Sequence, residues 1–377
     1  MRKTFKYRLL GNKATFSRAD EWLVLCQRLY NMALEQRIYI YRNNRQTISC
    51  YDQSKQLPEL KEAFSDYQLV GSQVLQDVIL RLDKAYLAFF RRVKNGDRKA
   101  GFPRFKSRDR YHSFTLTQAG WKLNGQYLTI RNVGRFKLRL SRPIEGNIKT
   151  VTISRESTGQ WYVCFSCDKV PEHKLAPSVN TIGIDVGIKS FCVDSEGHSE
   201  FNPAYFRQAE KQLRVRQRVL CRRVKNSNGR KHARTLVAKA HAKVYNQRKD
   251  FLHKVANHYV TNYGVIYIED LNIGGMVKNH HLAKSISDAS WGKFFELLSY
   301  KAEGAGIKVV KVPRFEPTSK TCSECGAINQ ELTLNDRKWV CKSCGTSHDR
   351  DYNAAKNIRR VGQTLQEQTS GTGQSVS

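Results

Sequence analysis

The sequence predicts an antiparallel β-barrel interrupted by helices, followed by an α/β domain. Three observations predict this. Apolar residues alternate with a period of two between Phe114 and Cys167, as in antiparallel strands. Upstream of that segment the apolar period is helical, and beyond residue 180 apolar strands and helices alternate with short loops. A chain of 377 residues is also expected to form two or three domains.

The first half contains a short alternating strand from Thr4 to Leu9. A helix is predicted from about Ser17, whose spacing to Asp20 is that of a capping box. A second helix is predicted from Ser72 to Val93, and its apolar stripe indicates core packing. Asn124-Gly125, between apolar runs, is a strong hairpin signal. We expect the first strand to belong to the β unit and the helices to be inserted into it.

The second half begins after a linker that starts at Pro171. The segment TIGIDVGIKSFCV predicts a strand, a turn and a strand, and a long basic helical region follows. GVIYIED has the length and composition of a buried strand. A helix from Trp291 to about Glu303 and the strand GIKVVKV complete an α/β pattern. The polar tail, residues 363–377, is predicted to be disordered.

Charge is the strongest compositional signal. The 65 Lys and Arg face 33 Asp and Glu, and the net charge of +32 predicts a nucleic-acid partner. No run of 18 apolar residues predicts a membrane span, and MRKTFKYRLL lacks the apolar stretch of a signal peptide. Ten cysteines are too sparse for a disulfide scaffold, so we expect a cytoplasmic, reducing environment with some cysteines binding metal.

Two basic stretches are candidates for nucleic-acid contact. Residues 207–254 hold sixteen Lys and Arg against two acids, whereas a merely solvated helix face usually has mixed signs. Residues 91–110 hold nine basic against two acidic residues, interleaved with Phe102 and Phe105. These rings could stack on bases or could anchor the loop. The candidate contact residues are Arg104, Lys106, Arg214, Arg218, Arg222, Arg223 and Lys225.

Four cysteines have the spacing of a zinc site. Two Cys-x₂-Cys knuckles, Cys322/Cys325 and Cys341/Cys344, are separated by fifteen residues and can supply four thiolates. Four thiolates complete a tetrahedral shell, so the zinc is expected to be structural and His348 is not expected to be a ligand. Another Cys-x₂-Cys pair, at Cys164 and Cys167, lies in a strand-like run without a second knuckle, and we expect ordinary packing there.

Acidic residues end several predicted elements of the α/β domain. Asp185 lies among apolar strand residues, where a carboxylate is costly unless it is paired, exposed at a strand end or bound to metal. It could equally cap the turn at Gly187. Glu269 and Asp270 end the next buried strand, where open α/β sheets place their sites. One of these two could instead be a solvated loop residue or a helix cap.

The segment CGTSHDRDYNAAKNI contains two more candidates. If residues 352–360 are helical, Asp351 shares one small, apolar face with Ala354, Ala355 and Ile358. Asp349 lies off that face. The alternative role for Asp351 is an N-cap. Three converging carboxylates would repel one another unless divalent metal neutralised them. Two Mg²⁺ ions held by carboxylates can promote phosphodiester cleavage, so the pattern favours a nuclease.

These motifs together resemble the TnpB family of transposon-encoded, RNA-guided DNA endonucleases, which are related to compact type V CRISPR nucleases. The resemblance rests on GIDVGIKS, YIEDLN, the knuckles after PTSKTC and DRDYNAAKNI, with supporting segments GFPRFKS, FNPAYFR and DASWGKFFELLSYKAEGAGIKVV. It covers most of the chain beyond about residue 85. The resemblance implies an RNase H-like (RuvC-like) nuclease domain with an inserted zinc module, and a β-barrel domain interrupted by a helical recognition domain.

The resemblance also implies a domain layout. The ranges are 1–15 and 96–172 for the β-barrel, 16–95 for the helical recognition domain, 178–318 and 347–362 for the nuclease domain, and 319–346 for the zinc module. Asp185, Glu269 and Asp351 are implied as the catalytic triad that holds Mg²⁺, and Cys322, Cys325, Cys341 and Cys344 as the zinc ligands.

The implied partners are a guide RNA from the transposon end and double-stranded target DNA beside a short flanking motif, in a prokaryotic cell. Base pairing would supply most of the sequence specificity. Two alternatives stay open: a guided DNA-binding protein that no longer cuts, and a strand-joining transposase. The presence of all three acids weighs against the first, and the knuckles with their matching connectors weigh against the second.

Overall fold

The protein is described here from a computed structural model, which describes residues 1–172, 174–175, 178–333 and 336–371, with side chains as far as residue 368. The chain divides into two compact units, Met1–Pro171 and Glu172–Ser377. The division falls at the segment that the sequence predicts to be a linker. No helix in the described ranges is both long and apolar enough to cross a membrane.

The first unit is built on an antiparallel sheet with the strand order β2-β6-β7-β1-β5-β4-β3 in the described residues. Its strands are β1 Lys3–Leu10, β2 Ser113–Leu116, β3 Trp121–Asn124, β4 Tyr127–Ile130, β5 Gly134–Arg139, β6 Asn147–Arg155 and β7 Trp161–Asp168. The first strand lies inside the sheet, because β1 pairs with β7 on one side and with β5 on the other. The predicted hairpin turn is also present: Asn124 pairs with Tyr127, and Gly125 has φ 56°.

The sheet is an open half-barrel, so the predicted β-barrel is present only in part. Its edge strands, β2 and β3, are not hydrogen-bonded to each other in the described residues. Helix α1, Lys13–Asn44, covers the apolar face instead. Phe16 packs 5.5 Å from Phe136 and 5.8 Å from Trp161, and Trp22 packs 5.3 Å from Phe114, measured between ring centroids. Because a helix buries this face, the sheet does not need to close on itself.

Helices α2 Cys50–Lys55, α3 Leu57–Ala63 and α4 Ser72–Lys94 follow α1, with short 3₁₀ helices at Ser65–Leu69 and Arg108–Arg110. The predicted capping box is wrong. Asn12 caps α1 by accepting the Thr15 N–H at 2.8 Å, so Ser17 lies inside the helix. Asp20 forms ion pairs with Arg108 and Arg155 instead.

The second unit contains a sheet with the strand order β10-β9-β8-β11-β12. Its elements are β8 Thr181–Val186, β9 Ser190–Asp194, β10 Ser199–Phe201, α5 Tyr205–Arg222, α6 Asn228–Asn262, β11 Val265–Glu269, α7 Ile273–Met276, α8 Ala283–Ala289, α9 Trp291–Ala305, β12 Lys308–Val312, β13 Lys338–Val340, β14 Ser347–Asp349 and α10 Arg350–Gly371. Strands β8, β11 and β12 are parallel, and β9 and β10 extend the sheet antiparallel. The small hairpin β13–β14 stands apart from this sheet.

Helix α10 lies directly against the sheet. A side chain at Gly183 of β8 would come within 2.3 Å of the Ala355 carbonyl oxygen, so glycine permits the close approach of helix and strand. Gly362 does the same against the ring of Tyr267. A second apolar cluster, which includes Phe191, Phe251 and Phe294, joins the sheet to helices α6 and α9.

The C-terminal segment corrects another prediction. Residues 363–371, expected to be disordered, continue helix α10. Their polar side chains are used in packing, since Gln366 accepts a hydrogen bond from the Tyr267 hydroxyl at 2.9 Å and Gln363 donates to Thr181 at 3.2 Å. Low hydrophobicity therefore did not prevent order here. The remainder of the predicted tail, residues 372–377, lies outside the described residues.

Candidate active site and metal centre

Two of the predicted acids lie side by side on parallel strands. Ile184 of β8 is in register with Ile268 of β11, so the next residues, Asp185 and Glu269, are neighbours. Parallel strands lie about 4.8 Å apart, and laterally paired residues point to the same face. That face is covered by α10, because Gly183, two residues before Asp185, contacts this helix.

The third acid approaches from the helix. Ala354, Ala355 and Ile358 are completely buried, as the helical spacing predicts for the face that they share with Asp351. Asp351 lies in the first turn and its side chain keeps 22% exposure. The N-cap role belongs to Asp349, whose Oδ1 accepts the backbone N–H groups of Asp351 and Tyr352 at 3.1 Å each. Asp349 is therefore the capping aspartate, and the Asp351 carboxylate is not used as the cap.

The pKa of Asp185 also indicates that the three acids lie near one another. Burial raises the pKa of Asp185 well above its ordinary value, and the nearby charges of Glu269 and Asp351 raise it further. Burial likewise raises the pKa of Glu269, against a hydrogen bond of 2.6 Å from the Thr318 hydroxyl. A buried carboxyl that meets two other carboxylates is a donor set suited to divalent cations.

Two arginines contact Asp351. Arg337, beside the β13–β14 hairpin, forms an ion pair with Asp351 at 3.3 Å. Arg350 lies 4.0 Å from the same carboxylate and also lowers the pKa of Asp185. Nothing in the sequence pattern distinguished these arginines from the many others.

Asp270 has a different role from its neighbour Glu269. It is exposed and pairs with Arg314 at 2.7 Å and Lys311 at 3.5 Å. The hydrogen bond from Arg314 is the main reason that the pKa of Asp270 is lowered. Of the two acids ending β11, Asp270 is therefore the solvated one and Glu269 faces the candidate site.

Sequence reasoning missed a polar network that holds Glu269. Thr318 donates to Glu269, and the Thr318 carbonyl oxygen accepts the Asn357 side-chain N–H at 2.8 Å. Asn353 and Asn357 both donate to the Thr321 carbonyl oxygen, at 2.8 and 2.6 Å. Both asparagines are buried to about 1% exposure. Their i, i+4 spacing in DRDYNAAKNI was the available signal, since two amides on one helix face indicate a polar contact.

The four predicted cysteines form a metal-ligand cluster. Their Sγ atoms all lie within 4.8 Å of one another, and no other group of this kind occurs in the described parts of the chain. The Cys322–Cys344 and Cys325–Cys341 sulfur distances are 3.7 and 3.6 Å. Tetrahedral zinc with Zn–S bonds of about 2.3 Å requires sulfurs about 3.8 Å apart, so the cysteines fit zinc.

Two details support the zinc assignment. Gly326 and Gly345, one residue after each knuckle, have φ of 79° and 74°, which favours glycine. The buried His348 places Nε2 3.1 Å from the Cys322 sulfur, as a hydrogen-bonding neighbour of the ligand cluster.

Cys164 and Cys167 lie on β7 and belong to no metal-ligand group among the described residues. The carboxylates likewise do not converge closely enough to be grouped around a single ion.

Helices α5 and α6 display the long basic stretch. Leu213 packs against Ala240 and Val244 at the centre of the pair. Each candidate on this stretch is exposed: Arg214, Arg218, Arg222, Arg223 and Lys225. Asp288 anchors the start of α5 by accepting the N–H groups of Phe206 and Arg207 at 3.0 and 3.2 Å.

The other basic segment belongs to the first unit. Arg104 is exposed, whereas the backbone of Lys106 is fixed by the side chains of Gln27 and Asn31. Phe102 packs edge-to-face on Tyr86 and Phe89 at 5.4 and 5.3 Å. Phe102 thus anchors the loop, one of its two predicted roles.

Comparison with known proteins identifies the family. Residues 164–280 match the family model OrfB_IS605, described as "Probable transposase", and residues 291–358 match the Cas12f1-like TNB domain model. A Streptomyces pristinaespiralis protein named "Putative RNA-guided DNA endonuclease" is 34% identical over 96% of this chain and 90% of its own length. The chain belongs to the TnpB family.

Further relatives of this TnpB-family chain agree. The Escherichia coli K12 protein named "Putative RNA-guided DNA endonuclease InsQ" is 30% identical over 96% of this chain and 93% of its own length. A solved Cas12f1–sgRNA–target DNA complex contains a chain with a similar fold, with a TM-score of 0.59 and 16% identity over 95% of this chain and 98% of the other.

Proposed function

We propose that this TnpB-family chain is an RNA-guided DNA endonuclease whose Asp185, Glu269 and Asp351 hold two Mg²⁺ ions at the edge of the β8–β11 sheet. The observation that carries the proposal is that these acids are neighbours: two lie next to each other on parallel strands, and the third raises the pKa of Asp185 from the facing helix. When bound there, paired Mg²⁺ ions would activate water and stabilise the leaving oxygen of a phosphodiester.

The chain's own residues have separable roles in this proposal. Asp185 and Glu269 are set by strand register, and Thr318 orients the Glu269 carboxylate through its hydroxyl. Asp351 is the acid that can exchange an arginine partner for a cation, because its ion pair with Arg337 is partly exposed. The four-cysteine cluster would hold zinc and fix the hairpin that carries Arg337.

The nucleic-acid partners follow from charge and from the relatives. The proposed substrate is double-stranded DNA beside a short flanking motif, directed by a guide RNA from the transposon end. The exposed arginines of α5 are suited to backbone phosphates, which dominate affinity and carry no sequence information. Base pairing would then provide sequence recognition.

The test is to express the chain with its flanking element sequence, sequence the copurified RNA, and incubate the complex with Mg²⁺ and a target-DNA library. Discrete bound RNA and cleavage beside a recurring motif are expected. Absence of a discrete RNA would refute the guided function. Tight target binding without cleavage would identify a guided binder, and joined strands in place of cut ends would identify a transposase.

A further inference from the structure

The first unit contains a cavity of about 1080 Å³ that no part of the proposed nuclease site uses. It is enclosed by the C-terminal parts of α1 and α4 and by the loop 102–105. Its walls combine aromatic rings, Tyr41, Tyr86, Phe90 and Phe105 among them, with the guanidinium groups of Arg37 and Arg104. Binding sites for small groups typically have volumes of about 300–1,000 Å³, so this cavity is large enough for a nucleotide.

Arg37 places a largely buried guanidinium group in the wall of the cavity. Its side chain is only 10% exposed, and it pairs with Asp83 at 3.1 Å and with Gln53 at 2.7 Å. Its guanidinium lies 5.0 Å from the ring centre of Tyr86. Its Nη2 atom, however, is buried and has no hydrogen-bond partner among the described residues. Because solvent does not reach Nη2, this atom is not available to a molecule in the cavity, and Arg37 contributes positive charge to the wall.

The aromatic residues at the rim are unusually exposed. Tyr41, Phe90 and Phe105 keep 52%, 57% and 53% of their surface accessible. Exposed rings next to guanidinium groups are the combination that stacks on unpaired bases. The lining is mostly apolar and aromatic, but its charged residues are four arginines and one aspartate, so its net positive charge suits an anionic ligand with aromatic groups.

We propose that this cavity binds an unstacked nucleotide of single-stranded RNA, with a base against the exposed rings of Tyr41 and Phe105. RNA is favoured over target DNA, because protein recognition of RNA concentrates on unpaired nucleotides whose bases can be splayed and stacked on aromatic rings. The inference extends the proposed guide-RNA partnership, but it concerns the first unit and does not depend on cleavage.

The direct test uses the purified full-length protein, fluorescein-labelled single-stranded U₁₂ RNA and the matched dT₁₂ DNA. Stacking tolerates any base, so a uridine probe is adequate. After irradiation at 254 nm, mass spectrometry should find uridine cross-links on peptides containing Tyr41 or Phe105. Tyr41→Ala and Phe105→Ala should each weaken U₁₂ binding by about 10-fold, within the range of one lost stacking contact.

Tyr39→Ala is the matched control. Tyr39 is on the same helix and 67% exposed, but it does not line the cavity, so its variant should change binding by less than about twofold. The slope of affinity against salt should stay constant in the aromatic variants, because no phosphate contact is lost. Thermal midpoints of all variants check folding.

The proposal is overturned if Tyr39→Ala and Tyr41→Ala weaken binding equally, since the surface would then be unspecific. It is also overturned if neither cross-links nor affinity losses occur at the cavity, or if the losses are larger for dT₁₂ than for U₁₂. Because these measurements require no guide and no cleavage, failure of the cavity is distinguishable from failure of the nuclease proposal.

Discussion

The zinc cluster and the carboxylate site are both metal-ligand sets, but they differ in how completely the protein arranges them. The four sulfurs lie within 4.8 Å of one another and already have spacings suited to one ion. The three acids come from β8, β11 and α10, and burial and mutual repulsion raise the pKa of Asp185. The cysteines are placed by local turns, whereas the acids depend on the packing of a helix on a sheet.

This difference has a functional meaning. A structural ion benefits from a closed, complete shell, whereas catalytic ions need open positions and exchangeable ligands. In the candidate active site, the ion pair between Arg337 and Asp351 offsets a charge that two Mg²⁺ ions would otherwise neutralise. Arg337, next to the β13–β14 hairpin, thus supplies a positive charge to the candidate carboxylate site.

The largest effect is expected from removing Asp351 while keeping the helix cap. Asp351→Ala should lower target cleavage at least about 1,000-fold, because losing a ligand of the catalytic metals costs several kcal/mol of transition-state stabilisation. RNA binding should stay nearly unchanged. Initial cleavage rates at saturating Mg²⁺, with filter binding of the copurified RNA, measure both quantities.

Asp349 provides the matched control at the adjacent position. Asp349→Asn retains a capping oxygen for the N–H groups of Asp351 and Tyr352, so cleavage should stay within a few-fold of wild type. Asp349→Ala should lose about 1 kcal/mol of stability but keep substantial activity. If Asp349 variants were inactive and Asp351→Ala active, the assignment of roles would be reversed.

The second-largest effect is expected from disrupting the four-cysteine cluster. Cys322→Ser should remove zinc, as measured by the metal content of the purified protein, because three thiolates no longer complete the shell. Cleavage should fall as well, since Asn353 and Asn357 fasten α10 to the segment next to Cys322. Cys167→Ser, outside the cluster, is the control and should retain zinc. Unchanged zinc in Cys322→Ser would contradict a four-thiolate site.

The two sites also differ in how much of them could be predicted from sequence. Cysteine spacing predicts the zinc cluster, because a knuckle is a local turn. The buried helix face beside Asp351 could be predicted as well, since Ala354, Ala355 and Ile358 are buried as the period requires. The membership of β1 in the antiparallel sheet and the hairpin at Asn124-Gly125 could also be predicted, because alternation and the hairpin signal are local patterns.

Long-range contacts could not be predicted in the same way. Thr318 is one of several threonines in a polar segment, and only the fold brings its hydroxyl to Glu269. Asp288 caps a helix that begins more than eighty residues earlier, so no spacing rule applies. The disorder prediction for residues 363–371 was wrong because polar residues of α10 bind Tyr267 and Thr181 across the sheet.

A moderate effect on cleavage is expected at Thr318, which lies between the carboxylate site and the four-cysteine cluster. Thr318→Val keeps the shape but removes the hydroxyl that orients Glu269, so cleavage should fall by about 10-fold, as for one hydrogen bond to a charged group. Thr318→Ser should restore most of it. A positioning role predicts that higher Mg²⁺ concentrations partly rescue Thr318→Val. Equal loss in the Ser and Val variants would indicate a packing role instead.

The smallest effect is expected on the free energy of unfolding. Asp185→Asn tests how much charge repulsion among the three carboxylates destabilises the folded protein. Because the pKa of Asp185 is raised in the folded state, its carboxyl favours folding while protonated, and that contribution is lost as pH rises through the folded pKa. Above that pKa and without added Mg²⁺, Asp185→Asn should be more stable than wild type, by about 1 kcal/mol if the effect is that of a typical point substitution. That gain corresponds to about 2–4 °C in thermal midpoint. The gain should vanish at acidic pH, where Asp185 is protonated, and should shrink when Mg²⁺ is added to wild type. An Asp185→Asn variant that is less stable than wild type at neutral pH without Mg²⁺ would contradict this expectation. It would show that positive groups such as Arg337 and Arg350 already offset the repulsion among the three carboxylates.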